Sequence, residues 1–130
     1  MITSKTLYAG EGRHRVCLVI TFTEDGLVAQ LYGGEKPHVG AVVLTLPRPS
    51  LRDRNRLSCN SSVLPRVGHK EDELAKPLAE KIAICFRQPV VLVAGLHIDN
   101  ASREDIEKLI ENCWLVLEQF LQNHRAGLNY

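Results

Sequence analysis

The run from Pro89 to Leu96 most constrains the fold, because it consists almost entirely of Val, Leu and Ala. A run this apolar predicts a central strand of the sheet. The apolar segments Val16–Thr23 and Ala41–Leu46 predict two more strands. Between them, Glu24-Asp25-Gly26 favours a tight turn, so we expect Leu27–Tyr32 to return as a hairpin partner.

Prolines and alternation define the next region. Pro47 and Pro49 cannot donate backbone hydrogen bonds, so we expect the strand that begins at Ala41 to end before them. The segment Leu57–Val63 alternates between two faces, one of which carries only small polar residues. That polar face is either exposed to solvent or a surface for a ligand.

Two segments have helical periodicity. Glu71–Phe86 places apolar residues on one stripe, but Pro77 removes a backbone donor and clashes with the preceding turn. We therefore expect the regular helix to begin near Pro77. The second helix covers Ser102–Asn123, where Ser102 and Asp105 form a capping box with Asp in place of Glu or Gln.

The second helix carries an unusually wide apolar surface. Trp114 and Val116 broaden its stripe, and Leu115 lies outside it. This width indicates either a subunit contact or a thoroughly buried helix. The predicted core-facing residues are Ile106, Leu109, Ile110, Cys113, Leu117, Phe120 and Leu121.

These elements predict one α+β domain over residues 1–130, with a mixed, mainly antiparallel sheet and two C-terminal helices. A net charge of +1 gives no electrostatic case for nucleic acid as a partner. No apolar segment reaches membrane-spanning length, and the first ten residues lack the apolar core of a signal peptide. We expect a cytoplasmic protein whose four cysteines are free thiols, because no Cys-x-x-Cys spacing is present.

Three separated segments combine glycine, histidine and charged or amide side chains: residues 33–40, 68–72 and 95–100. Glycine permits positive φ and close approach of backbone to a ligand, and loops commonly carry function. We therefore expect His38, His69 and His97 to converge on one pocket. The candidate ligand-binding residues are Gly34, Glu35, Lys36, His38, His69, Lys70, Glu71, His97, Asp99 and Asn100.

Several chemistries fit these segments. Lys36 and Lys70, with nearby backbone amides, suit an anion such as phosphate. Three histidines with Glu35 or Asp99 satisfy a metal site by residue type, although spacing does not test a site built from distant loops. Simple turns also explain the glycines. No Ser or Cys lies in a recognisable nucleophilic context, so no catalytic residue is assigned.

At these segments the chain resembles the LpdD-like proteins, the prenylated-flavin chaperones associated with bacterial gallate decarboxylase. The resemblance rests on four stretches: GGEKPHVGAV (33–42), RPSL (48–51), GHKEDELAKP (68–77) and VAGLHIDNAS (93–102). It implies a proteasome-assembly-chaperone-like fold that pairs as a homodimer.

The resemblance further implies a non-enzymatic protein that binds prenylated FMN, or FMN, and delivers the cofactor to a UbiD-type decarboxylase. Two alternatives stay open. One is a metal-dependent enzyme that assists maturation of the cofactor, and the other is a protein-assembly chaperone without a small ligand.

Overall fold

A computed structural model describes residues 2–66 and 71–127, without the side chain of Asp72. Its strands are β1 (Thr3–Ala9), β2 (Val16–Phe22), β3 (Leu27–Gly34), β4 (Ala41–Pro49), β5 (Leu57–Pro65) and β6 (Val90–His97). Its helices are α1 (Asp72–Phe86) and α2 (Arg103–Arg125), and a 3-10 turn covers Gly12–His14. None of these helices is long and apolar enough to cross a membrane.

The strands form one sheet in the order β1-β2-β3-β6-β4-β5. β6 lies at the centre, parallel to β3 and antiparallel to β4, and the other neighbouring strands pair antiparallel. The predicted α+β class and the central position of the apolar run are therefore confirmed. The predicted β2–β3 hairpin is also present, with Gly26 at a φ of 120° in its turn.

Both helices pack against the same face of the sheet. Leu18, Leu31 and Leu92 project from that face and share one buried cluster with Ile82 of α1 and Phe120 of α2. Register places the alternate residues on the opposite face, where Val91 lies between Val28 and Leu44. That second face is apolar and partly exposed, and neither helix covers it.

Two expectations about proline are wrong. β4 continues through Pro47 and Pro49 to the end of its pairing with β5. Beyond Thr45 it has no partner on the β6 side, so proline nitrogens on that side interrupt no ladder. The backbone N–H of Ser50 donates to the Arg56 carbonyl at 2.8 Å, which indicates that the alternate positions 47 and 49 face away from β5.

The helix α1 begins at Asp72 rather than near Pro77, which lies inside it. Pro77 is exposed, whereas the buried Ala75 and Leu78 on either side of it pack into the core. Packing on this stripe keeps the helix continuous although one backbone hydrogen bond is absent.

The capping box of α2 is confirmed, because the Ser102 hydroxyl accepts from Asp105 N and the Asp105 carboxylate accepts from Ser102 N. The prediction of the core-facing residues of α2 is wrong for the first turns of the helix. Ile106 and Ile110 are exposed, whereas Leu109 and the later members are buried. The helix therefore buries its carboxyl-terminal half and leaves apolar side chains open near its start.

Candidate functional site

Two of the three predicted histidines meet beside the carboxyl end of β6. The ring centroids of His38 and His97 are 6.4 Å apart, and the ring planes are nearly perpendicular at 83°. His69, Lys70 and the segment 67–70 lie outside the described residues. The expected convergence therefore applies to His38 and His97 and stays a prediction for His69.

Gly95 brings His38 to β6. A Cβ atom at position 95 would lie 1.5 Å from the His38 carbonyl oxygen. The backbone N–H of Gly40 also donates to the Ala94 carbonyl at 2.9 Å. Only glycine at 95 allows the segment that carries His38 to cross the strand at this distance.

His38 is held by a carboxylate and a carbonyl. Its Nε2 lies 2.8 Å from Oε1 of Glu71, and the two side chains are only 14% and 10% exposed. Its Nδ1 lies 3.0 Å from the Lys36 carbonyl oxygen. Gly40 leaves room for this pair, because a Cβ there would lie 2.5 Å from the carboxyl carbon of Glu71. The two contacts, one at each ring nitrogen, fix the orientation of the ring.

His97 forms a second histidine–carboxylate pair, which is more open. Its Nε2 lies 2.9 Å from Oδ1 of Asp99, and the two side chains are 47% and 80% exposed. The His97 carbonyl accepts from the backbone N–H groups of Glu35 at 2.7 Å and Lys36 at 3.2 Å. Gly34, at a φ of 79°, permits this turn.

The backbone amides of residues 34–36 are therefore engaged within the protein. Gly34 N–H donates to the Arg15 carbonyl, and Glu35 and Lys36 share the His97 carbonyl. These three N–H groups therefore point at protein carbonyls, and the expectation that amides of residues 33–40 hold an anion stays a prediction for the other residues of the segment. Any contact between this turn and an anion has to come from the Lys36 side chain, which is exposed.

A set of charged residues supports the turn from the outside. The Glu35 carboxylate accepts from Asp99 N at 3.2 Å and lies 3.6 Å from Arg13 Nη2. The same Arg13 nitrogen lies 3.5 Å from Oδ2 of Asp105, whose Oδ1 is 2.7 Å from His14 Nε2. Sequence reasoning missed this support, in which the side chain of His14 is half-buried. Asp105 was visible only as a helix cap.

Asp105 makes folding sensitive to acid. Hydrogen bonds from the backbone N–H of Ser102 and from the side chain of His14, with the nearby Arg13 charge, hold the pKa of its carboxyl well below its usual range. A depressed folded-state pKa contributes stability above the unfolded value of about 4, and this contribution is lost as the pH falls below it. We expect Asp105→Asn to be less stable than the parent at pH 7 and to lose less stability on acidification.

Urea unfolding of both proteins between pH 7 and pH 3 measures this difference. Glu107→Gln is the matched control on the same helix, because among the described residues Glu107 pairs only with Arg103, at the exposed surface. Parallel stability profiles for Asp105→Asn and the parent across this range would contradict the assignment.

A groove of about 950 Å³ opens beside the two histidines, between the start of α1 and the start of α2. Its polar end carries His38, His97, Glu71 and Glu73. Its apolar floor and walls are formed by Leu74, Pro77, Leu96, Ile98, Ala101, Ile106, Leu109, Ile110 and Trp114. The open apolar residues of α2 therefore line a cavity that the sequence pattern did not reveal.

The remaining predicted residues lie close by. Asp99 and Asn100 occupy the turn after β6, where Asn100 has a φ of 52°. Asn100 does not cap α2, because Ser102 does. Within residues 2–66 and 71–127, no three His, Cys, Asp or Glu side chains are grouped as metal ligands. A metal site that includes His69 falls outside that range.

Comparison with known proteins identifies the family. No curated protein matches the chain. Among solved structures, a chain from the crystal structure of a novel chaperone complex for yeast 20S proteasome assembly has a similar fold, with a TM-score of 0.59 and 15% identity over 98% of both chains. Residues 10–125 match the family profile described as the prenylated flavin chaperone LpdD-like domain. The chain therefore belongs to the LpdD-like prenylated flavin chaperone family.

Proposed function

We propose that the protein binds prenylated FMN in the groove between α1 and α2 and delivers it to a UbiD-type decarboxylase. The observation that carries this proposal is one large apolar groove that ends in two histidine–carboxylate pairs. A flavin has the same division, with apolar rings and polar ring edges. The family description supports the choice of the prenylated cofactor.

The residues of the groove fit such a ligand. Its volume lies within the range of small-molecule sites, roughly 300–1,000 Å³. Trp114 and Ile110 offer apolar contact area for the fused rings and the prenyl extension. His38 and His97 can hydrogen-bond to the oxygen and nitrogen atoms at the ring edges.

Binding without turnover suits the openness of the site. His97 and Asp99 are well exposed, so a ligand held there remains accessible to a receiving enzyme. His38 and Glu71 are largely buried and can keep a fixed orientation while the exposed pair is displaced. Within this proposal no residue of the chain is a catalytic residue.

Coexpression with a flavin prenyltransferase tests the proposal. We expect the purified protein to carry prenylated FMN, identified by mass and by absorbance, in a ratio near one per chain. Trp114→Ala should reduce the amount that copurifies, because it removes the largest apolar side chain of the groove. Leu115→Ala, at the neighbouring position outside the groove, is the control. If the parent copurifies with no flavin, the proposal is wrong.

The phosphate of the flavin is expected at Lys36. A phosphate carries about −1.5 to −2 at neutral pH, so Glu71 and Glu73 disfavour it within the groove. Lys36 is exposed on the turn that leads to His38, and Lys70 is the second candidate by its sequence position. We expect Lys36→Ala or Lys70→Ala to weaken binding of the phosphorylated flavin by roughly 1.5–3 kcal/mol, as for a hydrogen bond to a charged group.

Fluorescence titration with phosphorylated and dephosphorylated flavin measures this contribution. The dephosphorylated flavin should bind equally to the parent and to each variant. Lys76→Ala, which removes an exposed lysine of α1, is the control. If both substitutions leave the affinity within twofold of the parent, the phosphate lies elsewhere.

We further propose a homodimer formed through the uncovered face of the sheet. Val28, Leu44, Leu46 and Leu64 are exposed large apolar residues on that face. Val91 lies among them and extends the patch across the central strand. A second copy of the chain would cover this apolar area, and contiguous patches of this kind typically mark interfaces. The Trp114 surface is less suited to this role, because Trp114 lines the groove.

Leu44→Asp should convert the dimer to a monomer, because two charges would be buried at the centre of the interface. Light scattering at concentrations well above micromolar measures the mass. Leu115→Asp places the same charge on the exposed surface of α2 and should leave the dimer intact. If Leu115→Asp were monomeric and Leu44→Asp dimeric, the subunit contact would lie on α2. A monomeric parent would exclude a dimer through either surface.

A further inference from the structure

The connection between β4 and β5 carries a concentrated positive charge that the groove does not use. Residues 48–56 contain four arginines, Arg48, Arg52, Arg54 and Arg56, and one acidic residue, Asp53. This segment has a net charge of +3, so the rest of the chain, with a total of +1, carries −2. We call residues 50–56 the arginine tip.

The tip has a defined shape. Ser50 N–H donates to the Arg56 carbonyl at 2.8 Å, and Arg56 N–H donates to the Asp53 carbonyl at 3.0 Å. The Asp53 carboxylate accepts from Asn55 N–H at 3.0 Å and stays exposed beside the arginines. These hydrogen bonds hold the chain so that its side chains point outward.

The arginines of the tip are available to a partner. Among the described residues, neither Arg48 nor any of the three arginines of the tip, Arg52, Arg54 and Arg56, forms an ion pair with a carboxylate. Arg48 contacts the Asn60 side chain and the Pro49 carbonyl, both neutral groups. Leu51, at the start of the tip, has 91% of its surface exposed. Arginine is enriched at protein–protein interfaces, so a group of arginines without carboxylate partners suits the surface of a partner protein.

The tip and the groove occupy opposite ends of the sheet. β4 begins at Ala41, opposite Ala94 and beside the His38 segment, and ends at Pro49, next to the tip. At about 3.3 Å per residue, this strand separates the two by roughly 26 Å. A contact confined to the tip therefore does not cover the groove.

We propose that the arginine tip is a docking site for an acidic surface of the decarboxylase that receives the cofactor, an inference that rests on the proposed function. Guanidinium groups pair with carboxylates in bidentate geometry, and Leu51 adds an apolar anchor. Attraction between opposite charges accelerates encounter, and docking away from the groove keeps the bound cofactor accessible. One end of the sheet holds the cargo and the other end recognises the recipient.

The test uses the full-length protein and an apo UbiD-type decarboxylase as the probe, with binding measured by biolayer interferometry. The triple variant R52E/R54E/R56E should bind the enzyme more than tenfold more weakly than the parent, and Leu51→Ser should bind severalfold more weakly. The control R87E/R103E/R125E reverses the same number of exposed charges on other surfaces and should retain most of the affinity. Parent binding should weaken as salt is raised.

Flavin titration of the same proteins separates docking from cargo binding. The tip variant should bind flavin as the parent does, so a parent that binds no flavin counts against the proposed function and not against the tip. Equal weakening by the tip and control variants, or no binding of the parent to the decarboxylase, overturns the docking proposal. Binding of RNA or of anionic lipid vesicles that requires the tip, in place of the enzyme, also overturns it.

Discussion

Gly95→Ala is expected to lower flavin affinity more than tenfold. The added methyl group would lie 1.5 Å from the His38 carbonyl oxygen, and this neighbour is backbone that cannot rotate away. The segment that carries His38 would have to leave β6, with loss of the hydrogen bond from Gly40 N–H to the Ala94 carbonyl. His38 would then part from Glu71 and from the polar end of the groove.

The same substitution should reduce the free energy of unfolding by about 1–3 kcal/mol, the usual cost of inserting a methyl group where there is no space. Fluorescence titration and urea unfolding measure the two effects separately. Gly12→Ala is the control, because Gly12 has a φ of 57° but a Cβ there meets nothing within 4 Å. Gly12→Ala should lose about 1 kcal/mol of stability and keep its flavin affinity. Full flavin affinity in folded Gly95→Ala would show that the position of His38 does not matter for binding.

Phe120→Ala should cause the largest loss of stability, about 3–5 kcal/mol. Phe120 is completely buried. Its ring stacks on Phe86 of α1 with centroids 5.4 Å apart, and it lies 6.1 Å from Phe22 of β2. Removing the ring leaves a cavity where both helices meet the sheet, and the surrounding elements can close it only in part.

Denaturant unfolding measures this loss. Native proteins usually have a free energy of unfolding of about 5–15 kcal/mol, so the loss approaches the whole stability of a small domain near the lower end of that range. Leu115→Ala on the same helix should cost less than about 0.5 kcal/mol, because Leu115 is exposed. A Phe120→Ala variant as stable as Leu115→Ala would mean that the aromatic cluster is not a centre of packing.

Local patterns in the sequence predicted most of the secondary structure. The apolar run before Leu96, the Asp-Gly turn and the capping box at Ser102 each depend on neighbouring residues, and each is confirmed. The two errors with proline have a tertiary cause. An unpaired side of β4 tolerates Pro47, and core packing on either side of Pro77 keeps α1 continuous.

The candidate site was predictable only in its components. Shared glycine and histidine motifs identified His38 and His97, and Asp99 pairs with His97 from only two positions away. The pairing of His38 with Glu71 depends instead on how two distant segments meet. Ile106 and Ile110 fit a helical stripe, and sequence periodicity does not distinguish the core from the wall of a groove. Arg13 contacts Asp105 across 92 positions of sequence, a separation that no local pattern reveals.

The strand order has a consequence for biosynthesis. β6 is the last strand to be made, yet it lies between the two hairpins β2–β3 and β4–β5, which can each form earlier from local contacts. Until β6 pairs with β3 and β4, the two hairpins are not joined in one sheet. The segments that carry His38 and Glu71 are then not held next to each other. During translation the groove therefore cannot exist before α2 has been synthesised. A nascent chain should capture no cofactor, and loading should begin only when folding is complete.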